Sequence, residues 1–210
     1  MRNYDLTYRP LRGGVRIFNP AVNQPGTLGF IATGDGSDRW LVSCYHVLCG
    51  PPGAQEEVYQ PIDDPENLVA TADPARARAD LDCAAARVAA GVDTTTEVLG
   101  VGPVGLPVAP EVGMQVIKSG AVTGVTEGTI TDVLAGRVEI EPVGLPDDYQ
   151  MNDEGDSGAV WLLKGSHRPV VLHQGGSAGP RRFAYGMPVL DVLAALNLAM
   201  LPVAIPAGGR

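Results

Sequence analysis

The stretch Met151–Val160, MNDEGDSGAV, sets Asp156 and Ser157 between Gly155 and Gly158 and then runs into the apolar VWLL. Gly-Asp-Ser-Gly is good turn chemistry, because glycine adopts positive φ and Asp or Ser bonds to nearby backbone. It is also a loop able to present Ser157 as a nucleophile, with backbone N–H groups aimed at an oxyanion. Such chemistry needs a base and a group that orients the base. The chain has 3 histidines. His167, in KGSHRP, reads as a solvated turn residue. His173 ends the apolar run VVLH. His46 lies where WLVSCY ends and a turn begins, as a satisfied core residue or as a base at the mouth of a barrel. RADLDCAAARV offers two carboxylates. Asp82 precedes small apolar residues, so its backbone is expected to enter a sheet and its side chain to be buried; Asp80, further out, is expected in solvent. A buried carboxylate needs a partner, and a histidine Nδ1–H is one that also fixes tautomer and orientation.

The elements that must hold these groups are short strands bounded by Gly, Pro, Asp and Asn. Runs over 13–18, 27–33, 39–44, 67–72 and 82–88 lie in the first half. Runs over 113–120, 127–133, 136–143, 158–163, 169–176 and 182–189 lie in the second. TGDGSDR and LAG read as hairpin tips. HVLC reads as one helical turn, and MPVLDVLAALNLAML, with Val189, Val192, Leu193, Leu196 and Met200 near helical spacing, as a closing helix. GVGPVGLPVAPEVG (100–113) reads as an irregular connector. The expectation is an all-β chain of two antiparallel six-stranded barrels with a C-terminal helix, residues 1–105 carrying His46 and Asp82 and 106–210 carrying Ser157. Paired immunoglobulin-like sandwiches are the competing architecture, but their Cys and Trp signature is missing.

The order His46, Asp82, Ser157, with Ser157 in GDSG, resembles the trypsin/chymotrypsin-type serine peptidases. Four blocks carry the likeness: GTLGFIAT with RWLVSCYHVL, DLDCAAARV, KSGAVTGVTEGTITDV, and NDEGDSGAVW with VVLHQGG and FAYGMPV. The third resembles bacterial trypsin-like and glutamyl-endopeptidase-like members. The resemblance implies a chymotrypsin-like double barrel and acyl transfer: His46 as base, Asp82 as its orienter, Ser157 as nucleophile, and the N–H groups of Gly155 and Ser157 as oxyanion hole. It implies no metal and no organic cofactor.

Specificity departs from trypsin. The position six before the nucleophile, acidic there, is Met151, against Arg/Lys selection. His173 and Gly175, in VLHQGG, resemble the substrate-binding strand of glutamyl endopeptidases, in which a histidine faces an acidic side chain. A plain strand histidine is an equal reading. Asp153 and Glu154 read as a solvated loop, as acids that repel acidic substrates, or as acids that favour basic residues at another subsite. No pro-segment cleavage leads into a new apolar N-terminus of the kind that pairs, in trypsin, with the Asp before the Ser. Asp156 therefore needs a partner that the sequence does not name.

Composition bounds the rest. The chain has 210 residues, 45% hydrophobic, with Gly 27, Pro 18 and a net charge of -9. An acidic surface without basic runs disfavours nucleic acid and anionic membranes. The N-terminus has no apolar h-region, and VLAALNLAMLPVAIPA is broken by Asn197 and two prolines. Cys44, Cys49 and Cys83 are an odd count without metal spacing and read as reduced thiols of a cytoplasmic protein. The expected partner is a protein or peptide substrate, with a regulatory protein as a further possibility. A catalytically silent member used for binding is the competing function. An α/β-hydrolase esterase would require the order Ser, Asp, His.

Overall fold

The structure, a computed structural model, describes residues 6–34, 36–51, 56–177 and 182–201. Parts of the two segments read above for a signal and a span, 1–5 and 202–210, lie outside these residues. The first half comprises β1 (Leu11–Gly13), β2 (Arg16–Asn19), β3 (Gln24–Thr27), β4 (Phe30–Thr33), β5 (Arg39–Ser43), α1 (Tyr45–Leu48), β6 (Glu57–Tyr59), β7 (Leu68–Arg78), β8 (Cys83–Val88), β9 (Thr94–Val98) and β10 (Gly102–Pro103). The second comprises β11 (Gln115–Gly120), β12 (Gly124–Leu134), β13 (Arg137–Glu141), β14 (Val160–Leu163), β15 (Pro169–Ser177), β16 (Phe183–Pro188), α2 (Val189–Leu196) and β17 (Ala199–Met200).

The second half closes on itself as a six-stranded barrel in the order β11-β12-β13-β16-β15-β14. Its strands are half-buried by alternation. In β13, RVEIE, Val138 and Ile140 point inward and the charged residues outward. The first half is an eight-stranded sheet, β17-β4-β5-β8-β7-β6-β2-β3, with a small sheet β1-β9-β10 beside it. It is a half-barrel with an extra edge rather than a closed set of six. Strands β1, β3, β6, β9, β10 and β17 were not foreseen; the expected runs meet β1 and β3 only at Gly13 and Thr27. Apart from β17, they are short or threonine-rich, so neither length nor apolar alternation marks them.

Helix α2 ends sooner than the sequence suggests. Val189, Val192, Leu193 and Leu196 bury one face. Asn197 then adopts a left-handed φ of 52°, its N–H bonding to Ala194 O and Leu193 O. The chain reverses there, and Met200, expected on the helix, pairs with Ala32 in β17. The two halves share a core cluster containing Phe30 and Val42 from one side, Val160, Leu162 and Leu172 from the other, and Val192 from α2. The site between the halves therefore sits on a common floor.

Candidate active site

Strand β5 ends at Ser43, and the chain turns at once into α1, whose single turn buries Val47 and Leu48 and leaves His46 exposed. Asp82 lies in the turn before β8, not within the strand as expected. It holds φ 46°, a left-handed conformation that Asp tolerates better than most residues. Its side chain is about a third exposed, so the expected full burial does not hold: the turn lifts the carboxylate out of the sheet and up to the histidine. His46 Nδ1 lies 2.9 Å from both Asp82 oxygens, and the His46 backbone N–H donates to Asp82 Oδ1 at 3.1 Å. Two contacts fix the ring, and its Nδ1–H faces the carboxylate. Asp80 is in the same turn, in solvent, paired with Arg78.

The loop Gly155–Gly158 is held from three sides. From the first half, Thr27 N–H donates to Ser157 O at 2.8 Å and Thr27 Oγ1 to Gly155 O at 2.8 Å. From β15, Gly158 N–H donates to His173 O at 2.8 Å. Gly158 has φ 93°, and a Cβ there would run into Ser43 Oγ and Thr27 O. No other residue fits that position.

The third hold answers the question left by Asp156. Its carboxylate meets Lys118 Nζ at 2.7 Å, with both side chains fully buried. Val122 N–H and Thr123 N–H donate to Oδ1 at 3.0 and 3.1 Å, and the Thr123 hydroxyl donates to Oδ2. Burial alone would raise the Asp156 pKa. The Lys118 ammonium and the Thr123 hydrogen bonds outweigh it and hold the carboxyl below its ordinary value. Lys118 shares an inward face of β11 with Val116 and Gly120. That alternation was the signal in the sequence that could have named it.

Gly155, at φ 98°, turns its peptide outward. Neither the Gly155 nor the Ser157 N–H bonds to an acceptor among the described residues. Ser157 Oγ donates to Gln174 O at 3.3 Å, and the Gln174 amide donates to Leu81 O at 2.7 Å and Asp82 O at 3.3 Å. Gln174 thus links the serine to the turn that carries Asp82. Cys44, two residues before His46, donates its thiol to His173 O at 3.2 Å. The Cys44 sulfur, a His46 ring nitrogen and an Asp82 oxygen lie within 4.8 Å of one another. Burial raises the Cys44 thiol well above its ordinary pKa, with Asp82 adding to the effect. A metal needs a thiolate, so the group fits a proton network better than a cation. All three cysteines are free thiols.

Beside Ser157 lies a cleft of about 380 Å³ whose walls include Asn152, His173, Gly175, Gly176 and Tyr185, with Asp153 and Glu154 also against it. A Cβ on Gly175 would press on Tyr185 Oη, and one on Gly176 on the Asn152 amide. Met151 is not part of this wall. It is buried in the barrel core, and Asn152 stands at the cleft in its place. His173 lies under the cleft, receiving a hydrogen bond from Trp161 Nε1–H on Nδ1 at 3.4 Å. Burial first, then the nearby Lys118 charge, push its pKa down to about 3. His167 sits in the β14–β15 turn with φ 52° and joins none of this.

No family model matches the chain, and no curated protein matches it in sequence. Solved structures do match. A glutamic acid specific serine protease that uses a histidine triad in substrate binding superposes with a TM-score of 0.68 at 20% identity, covering 91% of this chain and 100% of that one. Protease A of Thermobifida fusca gives 0.67 at 20% identity over 91% and 98%. An alpha-lytic protease homolog gives 0.68 at 24% identity over 90% and 98%. The chain has the chymotrypsin-like fold. The chymotrypsin-like architecture expected from the strand pattern and the resemblance is found, with the second barrel closed and the first half an open eight-stranded sheet. No helix among the described residues is long and apolar enough to cross a membrane.

Proposed function

We propose that the chain is a serine endopeptidase using His46, Asp82 and Ser157. The observation that carries this reading is the joint state of two groups. The imidazole is fixed on a carboxylate through Nδ1, and the adjoining serine loop carries two N–H groups, of Gly155 and Ser157, without an acceptor among the described residues. With Nδ1–H on Asp82, Nε2 carries the lone pair and is the basic atom. Ser157 Oγ swings from Gln174 O toward it, loses its proton, and attacks the peptide carbonyl. The carbonyl oxygen takes the negative charge and enters the hole made by Gly155 and Ser157, where a single donor is worth about 3 kcal/mol. His46 then gives the proton to the leaving amine, and water repeats the sequence on the acyl-enzyme. No step needs a metal or cofactor.

The substrate in this reading is a protein or peptide, laid along β15 with the side chain before the cut bond in the cleft formed by His173 and Gly175. A histidine triad of the kind used by the glutamate-specific neighbour cannot be assembled here. Of the 3 histidines, His46 is held by Asp82 and His167 lies in the β14–β15 turn; His173 is backed instead by Trp161. A diverse peptide library incubated with wild type beside Ser157→Ala tests the reading. Cleavage by wild type alone is expected. Cleavage by neither protein favours a silent fold used for binding.

A further inference from the structure

Resting on that reading of Ser157 and its cleft, we propose that the pocket selects a carboxamide side chain, such as that of glutamine, in preference to the carboxylate of glutamate. Trp161 Nε1–H has no lone pair and can only donate, so the His173 Nδ1 that it meets at 3.4 Å is an acceptor. The ring's one proton is then on Nε2, the nitrogen not engaged inside the barrel. The ring also stays neutral at ordinary pH, because it is 1% exposed and has the Lys118 charge behind it. The pocket floor therefore offers one N–H and no positive charge.

The walls complete the argument. Asn152 Nδ2 donates to Phe183 O at 3.2 Å, which fixes the amide, and Oδ1, beside Gly176, accepts from no donor among the described residues. The Tyr185 hydroxyl lies against Gly175. A glutamine side chain matches this set: its oxygen accepts from His173 Nε2–H and its NH2 donates to Asn152 Oδ1 or Tyr185 Oη. A glutamate would face the Asn152 oxygen with a negative charge and pass the carboxylates of Asp153 and Glu154 on entry. Among the described residues, the cations around the walls are already paired: Lys118 with Asp156, Arg137, stacked on the Tyr185 ring, with Glu139, and Arg182 with Asp147. A carboxylate taken out of water without a counter-charge is heavily penalised. A basic side chain finds acceptors on the walls but ends on the His173 Nε2–H, a donor that it cannot satisfy.

Matched peptides with Gln, Glu, Leu or Arg before the cut bond test this, together with the 15N spectrum of the histidine rings. The expected result is that kcat/KM for Gln exceeds that for Glu by about tenfold or more. Asn152→Ala is expected to narrow that ratio, with His173 protonated on Nε2. Glu equal to or better than Gln, Leu or Arg best of the four, or a proton on His173 Nδ1 overturns the proposal. If wild type cleaves none of them, the enzymatic reading fails, and the same peptides still decide the pocket. The Gln peptide must then shift the His173 Nε2–H signal at a concentration about tenfold below that required of the Glu peptide. Absence of a shift by the Gln peptide overturns the proposal.

Discussion

Lys118→Met is expected to cost about 3–5 kcal/mol of stability, the range for removing one partner of a buried ion pair. The methionine fills much of the same volume, so packing loss is small. What remains is Asp156, fully buried, with its charge unpaired. The carboxylate must then either protonate or draw in water, and both loosen the loop that carries Gly155 and Ser157. The Gly155 and Ser157 N–H groups, the oxyanion donors of the proposed mechanism, lose their alignment, and kcat/KM is expected to fall by about a hundredfold or more. The double variant Lys118→Met with Asp156→Asn removes the stranded charge. It is expected to recover much of the stability, since exchanging both partners of a buried pair is often close to neutral, but less of the activity. Urea unfolding beside peptide cleavage reads both quantities. A single variant as stable as wild type would mean that Lys118 does not hold the loop.

Asp82→Asn is the second large effect, and its signature is the opposite one. Asparagine accepts the left-handed φ of 46° at this position as readily as aspartate, and its Oδ1 still accepts from His46 N–H. The fold is therefore expected to be unchanged. The amide NH2 now donates to His46 Nδ1, which forces the ring proton onto Nε2. No base faces Ser157, and kcat falls by about 10⁴. Activity lost with the melting temperature kept separates an orienting carboxylate from a structural one. A fall of less than about tenfold would remove Asp82 from the mechanism.

Lys118 and Asp82 also show how much the sequence discloses. The loop Gly155–Gly158 was legible as a tight turn because its signal is local: two glycines, an acid and a serine are contiguous. His46 was legible because an apolar strand ends just before it. What joins them is not local. Lys118 lies 38 positions from Asp156, and only the inward alternation of Val116, Lys118 and Gly120 hinted at its burial. Thr27, which holds two carbonyls of the loop, reads in the sequence as one more strand residue. Asp82 was placed in β8 with its side chain buried, because small apolar residues follow it; one residue of turn reversed that exposure. Met151 was assigned to the pocket by position, yet it packs in the barrel core and its neighbour Asn152 faces the cleft. Met200 fits the helical spacing of α2, but Asn197 terminates the helix before spacing can act. In each case tertiary contact, not local pattern, chose between two allowed conformations.

The central claim is that Ser157 is an activated nucleophile. A fluorophosphonate probe, followed by peptide mass mapping of the folded protein, tests it most directly. The account predicts one adduct, on Ser157, formed by wild type, slowed in Asp82→Asn and absent in His46→Ala. A folded wild-type protein that takes no label, or takes it on another residue, would contradict it.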